Sequence, residues 1–353
     1  MEYTDMTQQA AELLMRMVEI PSVSRDEQAV ADLLLAHMDR LGMEPQRSGN
    51  NLWSITPLYD KDKPTLLLNA HIDTVKPVSS WSYNPYKATL SDGRIYGLGT
   101  NDDGASVVAL LHTYLSLKDK PQHYNLLFLA SCEEEVSGRG GIESVLPLLP
   151  PIQVGLVGEP TGMHPAIAEK GLMVLDVTAH GRPGHAARNE GDNAIYKAMK
   201  DMEWFRDYRF EKESDLLGAV KMTVTIVNAG TQHNVIPDSC TFTVDVRSNE
   251  HYSNHDIYET VCQHVQSEVK ARSFRLNSSG IAVSHPLVQG AIALGRQPFG
   301  SPTLSDQALM PFSSLKMGPG NSARSHTADE YVTLDELHEA LRLYHDLLDG
   351  LTL

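Results

Sequence analysis

The sequence is poor in cysteine, and the three it has, Cys132, Cys240 and Cys262, are odd in number and lack CxxC spacing. That excludes a disulfide framework and a cysteine-type zinc site, and it leads us to expect a reducing, cytoplasmic location. Basic charge is also scarce: 29 lysines and arginines stand against 45 acids, a formal net charge of -16. Such a balance repels nucleic acid and anionic lipid and removes the basic footprint those partners need, so neither is expected as a partner. No apolar run approaches the roughly 20 residues of a membrane span. The start, MEYTDMTQQAAELLMRMVEI, has no basic leader and reads as an amphipathic helix rather than a signal peptide. A GxSxG elbow for a serine nucleophile is missing, as are internal repeats and low-complexity tracts.

What is there is a globular composition, 41% hydrophobic and 21% charged over 353 residues, too long for one ordinary core. Ala10, Leu13, Leu14, Met17 and Val18 recur at helical spacing, and Ser24 to Glu27 read as a capping box opening a second helix through Val30, Leu33, Leu34 and Met38. Apolar runs TLLLNA (65–70), NLLFLA (125–130) and VGLV (154–157) alternate with helical stretches at 105–117 and 140–149, the pattern of buried strands in an α/β domain. KATLSDGRIYG reads as a hairpin turning at Asp92 and Gly93.

From residue 172 the texture changes. A one-sided strand, a helix, two further strands, a helix over 253–271 and a last strand, SFRLNS (273–278), follow in the β-α-β-β-α-β order of a split βαβ sandwich. The chain then returns to Gly and Pro turns and ends on a helix with a capping box from Thr333 to Glu336. The expected architecture is therefore α/β. A mixed-sheet main domain with helices on both faces spans 1–171 and 281–353, interrupted by an inserted α+β domain over 172–280.

In open α/β sheets ligands collect beyond the carboxyl ends of the strands. Here each apolar run ends in side chains of metal-ligand type: His71 and Asp73, then Glu134 and Glu135, then Glu159. The glycine-rich turn GLGTNDDGAS delivers Asp102 and Asp103 between the first two. Any one of these alone reads as a capped, solvated side chain. The set reads as a metal centre, because converging carboxylates must protonate unless cations, such as two divalent ions sharing a carboxylate, neutralise them. Imidazole with carboxylate suits zinc or cobalt better than calcium or magnesium. His37, His112, His255 and His338 fall on helix faces, whereas His326 in SARSHTADE and His185 in GRPGHAAR stand in loops suited to a site.

The succession HID, GLGTND, EEE, GEPT, GHAAR, NVIP, DVR, GPG and SHTADE, running along essentially the whole chain, resembles the dinuclear zinc amidohydrolase and metallopeptidase family that includes acetylornithine deacetylase and succinyl-diaminopimelate desuccinylase. The resemblance implies two divalent cations, Zn or Co, with His71 and Glu159 on one, Glu135 and His326 on the other, and Asp102 bridging. Counting from Gly97 and Gly99 favours Asp102 over its neighbour Asp103 for that role. It implies that Asp73 orients the His71 imidazole and that Glu134, ligating nothing, carries the proton from water to leaving amine. Glu133 fills a position where relatives carry Asp. A lid histidine, matched by His185, would reach the oxyanion, and Asn234 and Arg247 would hold a substrate carboxylate, for which an arginine fork is suited. A turn asparagine and a surface arginine are the plainer alternatives for those two.

The same resemblance implies a cis peptide between Asp102 and Asp103 and a homodimer formed through the inserted domain. One departure is visible: relatives commonly carry Met-Lys-Gly after the bridging aspartate, and this chain has Asp103, Gly104 and Ala105. The expected activity is removal of the acyl group from a small N-acyl amino acid, most like acetylornithine deacetylase in arginine biosynthesis. The alternatives are a desuccinylase of N-succinyl ornithine, citrulline or diaminopimelate, a dipeptidase, or a metal-binding protein without turnover.

Overall fold

The apolar run at 65 forms the strand Thr65–His71 and the run at 125 forms Asn125–Ser131, each buried at every residue. In the computed structural model, which describes residues 3–188 and 190–353, the two pair in parallel from Thr65 opposite Asn125 to His71 opposite Ser131. Val154–Val157 lies parallel on the other side of the first strand, and Ser313–Lys316 runs parallel beyond it. Strands covered on both faces carry unbroken apolar runs rather than alternation, which is why these read so clearly. All four carboxyl ends point to the same edge of the sheet. The hairpin Gln46–Ser48 and Asn51–Ile55, which no apolar run announces, adds two antiparallel strands, so the sheet is mixed.

Successive side chains along a strand face opposite sides. Leu66, Leu68, Phe128 and Ala130 therefore pack on one side with the helices Tyr3–Val18, Gln28–Arg40, Ala105–Leu117 and Leu334–Leu348. Leu67, Leu127 and Leu129 pack on the other with Trp53, Met310 and the short helix Ile142–Val145. Phe128 is wholly buried, and replacing it with Ala would cost about 3–5 kcal/mol. The helix expected over 140–149 shrinks to Ile142–Val145 and a tighter turn, Leu146–Leu148, because Pro147 has no N–H to continue the ladder.

The terminal helix opens as its sequence implies: the Glu336 amide donates to Thr333 Oγ1 at 3.0 Å and the Thr333 amide to Glu336 Oε2 at 2.8 Å. The capping box expected from Ser24 to Glu27 does not form. The Thr74 amide donates to the Ser22 carbonyl and the Ser24 amide to the Thr74 carbonyl, which holds that segment against Thr74. The Ser24 hydroxyl donates instead to Asp73 at 2.7 Å, and the helix begins only at Gln28. The hairpin Thr89–Ser91 and Arg94–Tyr96 turns at Asp92 and Gly93, φ 49 and 73, the positive angles a two-residue hairpin of this twist requires. Tyr331–Thr333 adds a third strand, Tyr331 opposite Tyr96.

Contacts divide the chain into two units. One runs to Ile167 and includes Gly280–Phe299 and Ser305–Leu353; the other is Ala168–Ser279 with Gly300–Leu304. The second holds a four-stranded antiparallel sheet in the order Lys221–Ala229, Ser239–Arg247, Met173–His180, Glu268–Ala271. Met173, Leu175, Val177 and Ala179 face its core together with Phe242 and Val244, and residues of the helices Ala194–Asp207 and Asn254–His264 join them there.

The chain order is β-α-β-β-α-β, but its end differs from expectation. The helix stops at His264, and the last strand is Glu268–Ala271 rather than 273–278. Asp201 is the physical cause: from the other helix it accepts the amides of Gln266 at 3.1 Å and Ser267 at 3.0 Å, turning the chain toward the sheet. Among the described residues, no helix is long and apolar enough to cross a membrane.

Candidate metal centre

Where the parallel strands end, donor side chains converge. His71 closes its strand and is 2% exposed. Its Nδ1 lies 3.0 Å from the Asp73 carbonyl oxygen and 3.5 Å from Asp73 Oδ1. Two acceptors on that side suit a proton on Nδ1, so Nε2, which faces the cluster, is the nitrogen that a cation would take. Asp102 Oδ1 is 3.2 Å from that Nε2, and Asp102 Oδ2 is 3.7 Å from His326 Nε2. His326 Nε2 also lies 3.0 Å from Glu135 Oε2, and Glu135 is the main cause that pushes the imidazole up to about 9. Among the described residues, one donor atom from each of His71, Asp102 and Glu135 falls within 4.8 Å of the others.

Glu134 reaches the same place without joining that group, its Oε2 3.9 Å from His71 Nε2. Burial raises its carboxyl well above the usual value; Glu159, Asp306 and Glu135 add to the rise and His71 opposes it. Glu159, just past Val154–Val157, stands outside the tight group but close enough for its charge to raise both Glu134 and Asp103. The two adjacent aspartates part company here. Asp102 faces the imidazoles, whereas Asp103, 1% exposed, turns under the strand end and accepts the His71 amide at 3.2 Å. The peptide bond between them is cis, as the resemblance implies.

The loops that carry these groups are pinned by buried acids through their backbone amides. Asp73 accepts the Glu134 amide on Oδ1 at 3.0 Å and the Glu135 amide on Oδ2 at 3.1 Å. Burial would raise Asp73, but His71, Ser24 and these amides hold its carboxyl below the ordinary value. Glu27, fully buried, accepts the Glu133 amide at 3.2 Å and the Arg25 amide at 2.6 Å. Glu330 accepts the amides of Gly99, Asn101 and Asp102, and burial pushes its carboxyl up to about 8 against their pull. Glu133 folds over the turn that follows it, accepting the Gly140 amide at 3.3 Å; a Cβ on Gly138 would overlap its carboxylate. Asp306 accepts Asn69 Nδ2 at 2.9 Å and the Ser131 hydroxyl at 2.7 Å, and burial pushes it up to about 6.

Sequence pattern does not single out Asp306, gives Glu27 the different part of a helix-capping acid, and marks Glu330 only by its place in the SHTADE motif. The assembled donors fit divalent cations: imidazole nitrogen and carboxylate oxygen converge, and the burial and like charge that raise Asp103 and Glu134 are what positive ions relieve.

His185, Asn234 and Arg247 lie in the second unit. His185 pairs with Val235 in a two-residue ladder and the Ala186 amide donates to the Asn234 carbonyl at 3.0 Å, so His185 and Asn234 are neighbours, both exposed. The Ala187 amide donates to His185 Nδ1 at 3.1 Å, which leaves Nε2 to carry the proton of the neutral ring. Arg247 stands opposite Lys221, its guanidinium forked onto Asp245 at 2.8 and 3.1 Å. That fork uses Nε and Nη2.

A mixed α/β sheet with imidazole and carboxylate donors gathered at its parallel strand ends defines a metallohydrolase architecture. The profile of Peptidase family M20/M25/M40 matches residues 67–350, and the chain belongs to that family. It is 26% identical to the succinyl-diaminopimelate desuccinylase of Corynebacterium glutamicum, with 95% of each chain covered.

Among solved structures it resembles the aminopeptidase PepT from Bacillus cereus, with a TM-score of 0.78 and 18% identity over 97% of this chain and 98% of that one. It also resembles the YXEP protein of Bacillus subtilis, described as a dinuclear metal binding peptidase from the M20 family, with a TM-score of 0.73 and 16% identity over 99% and 100%. At such identities the structural likeness speaks for the fold. Curated relatives that carry the name succinyl-diaminopimelate desuccinylase favour the desuccinylase alternative over the expected acetylornithine deacetylase and its place in arginine biosynthesis.

Proposed function

We propose that this protein is a metal-dependent amide hydrolase that removes the acyl group from a small N-acyl amino acid, with N-succinyl amino acids as the favoured class. The observation that carries the hydrolase reading is Glu134. It sits beside the group formed by His71, Asp102 and Glu135 without belonging to it. A protein that only stored metal would have no use for a carboxyl held at that point without ligating.

In this reading His71 and Glu159 would hold one cation, Glu135 and His326 a second, and Asp102 would serve both, with Zn or Co as the metal. Two such ions supply Lewis acidity for the amide carbonyl and lower the pKa of a water. Glu134 takes the water's proton and later delivers it to the leaving nitrogen. Asp73 keeps the His71 proton on Nδ1, so that Nε2 stays free to ligate. His185 serves the oxyanion, and Asn234 and Arg247 the substrate carboxylate. The second unit is proposed to form the contact of a homodimer.

The N-succinyl preference is supported by the name of a relative that aligns over 95% of this chain. The test is to strip metal with a chelator, restore Zn or Co, and compare kcat/KM on N-succinyl amino acids, N-acetyl amino acids and dipeptides. N-succinyl compounds are expected to give the highest values. A dipeptide or N-acetyl preference would replace the substrate class. Bound metal with no hydrolysis of any of them would overturn the hydrolase reading.

A further inference from the structure

We propose that Glu330 is a positioning residue of the metal centre, fixing the backbone of Asp102 and tying the segment that carries His326 to the one that carries Asp102; this rests on the ligand roles proposed above.

The turn from Gly97 to Asp102 precedes the helix Ala105–Leu117; the Leu98 amide donates to the Pro85 carbonyl and the Thr100 amide to the Gly97 carbonyl, while those of Gly99, Asn101 and Asp102 turn to a side chain. Gly99, at φ 75 and with the Thr74 side chain where a Cβ would sit, bends the chain so that three amides aim at one point. Buried N–H groups need partners. The Glu330 carboxyl supplies all three, at 3.2 Å to Gly99, 2.8 Å to Asn101 and 2.9 Å to Asp102 itself.

Glu330 is delivered there by local pairing. Tyr331–Thr333 lies along Arg94–Tyr96, and the Gly97 amide donates to the Glu330 carbonyl at 3.1 Å, so main chain and side chain of one residue grip the same turn. The side chain is shielded, 2% exposed. His326 lies four positions earlier on the same segment. Asn101 ties that segment a second time: its Oδ1 accepts the Asn321 amide at 2.8 Å, and its Nδ2 donates to the Asn321 carbonyl at 3.2 Å and to Ser325 Oγ at 3.3 Å. The 3.7 Å approach of Asp102 Oδ2 to His326 Nε2 is thus set by a scaffold joining stretches 229 residues apart.

A carboxyl group meets this geometry because it offers two oxygens to three donors. The carboxamide of glutamine offers one oxygen, and its NH2 would confront an amide N–H. Alanine offers nothing. A residue that merely stabilised the fold would lower the melting temperature and leave the ions alone. A positioning residue alters how the ions are held.

The experiment uses metal-free full-length protein titrated with Co2+ against a competing chelator, with the cobalt visible spectrum read as a report on ligand geometry, at a temperature where circular dichroism shows each variant folded. Glu330→Ala is expected to weaken cobalt binding by about 10–100-fold and to shift the spectrum, with Glu330→Gln between it and wild type. Asp329→Asn is the control: Asp329 accepts the amides of Ser82 and Tyr83 on the same segment but does not touch the Asp102 turn. It should keep wild-type affinity and spectrum even if it melts earlier. Wild-type affinity and spectrum in Glu330→Ala, or in Glu330→Gln should the alanine variant not fold, would overturn the proposal while leaving the ligand roles standing. A wild-type protein that binds no pair of cobalt ions would overturn the ligand reading and the proposal with it.

Discussion

Asp73 holds the backbone of Glu134: Oδ1 of the aspartate accepts that amide at 3.0 Å, while Oδ2 takes the Glu135 amide at 3.1 Å and the Ser24 hydroxyl at 2.7 Å. One buried carboxylate therefore sets the distance between His71, two residues before it, and the acidic run on the neighbouring strand. Besides facing the His71 imidazole, Asp73 holds the backbone of the group proposed to move the proton.

Asp73→Asn retains one oxygen and sets an NH2 against one of the two amides. The expected outcome is a loss of about 10–100-fold in metal affinity or turnover. It should come with about 1–3 kcal/mol of lost stability. Calorimetric metal titration alongside urea unfolding measures both. An unchanged metal affinity would show that the loop keeps its place without Asp73.

In the second unit, Asp201 stops one helix and starts the last strand. Removing its carboxylate in Asp201→Ala strands two amides at 5% exposure of the parent side chain, a loss of about 2–3 kcal/mol. Hydrogen exchange should locate the damage: the Gln266 and Ser267 amides should exchange faster, while those of Thr65–His71 stay protected. Uniform acceleration over both units would contradict this assignment.

Glu336 gives a pH dependence carried by a group that is not a proposed ligand. Its carboxylate accepts Arg324 Nη1 at 2.9 Å and the amide and hydroxyl of Thr333. Burial would raise it, yet Arg324 and Thr333 hold it below the ordinary glutamate value. A depressed folded value means that the stabilisation is fully present above the unfolded value, about 4.3, and is lost as pH falls through the lower folded one. Glu336→Gln should be less stable than wild type by about 1 kcal/mol near neutral pH. The gap should close as pH drops below about 4. A gap that stays constant, measured by denaturant unfolding across that range, would mean that the charge does not matter.

Much of this was legible in the sequence because burial on both faces of a parallel sheet writes itself as an apolar run, and donors at the run's end are then easy to see. His71 and Glu135 follow such runs, whereas Asp102, from a glycine-rich turn, and His326, from a loop before the last helix, are legible only through their motifs, and the fold brings them to the same place. The misreadings share another cause. Ser24 looks like a helix cap until Asp73, 49 residues away, claims its hydroxyl. Residues 265–271 look helical until Asp201 claims their amides. Glu27 looks like a helix-capping acid, and Asp306 and Glu330 like any loop acid, because the partners that fix them include backbone amides and side chains of distant segments, and such partners leave no periodicity. Local pattern reports which face is buried. It does not report which acid is buried with it.

The most direct test of the proposed division of labour among the glutamates is to count the ions on purified Glu134→Ala while assaying its hydrolysis. Two ions per chain, as in wild type, with activity down by about 10^2–10^4-fold or more, is the predicted result. Loss of an ion, or full hydrolysis with both in place, would contradict it.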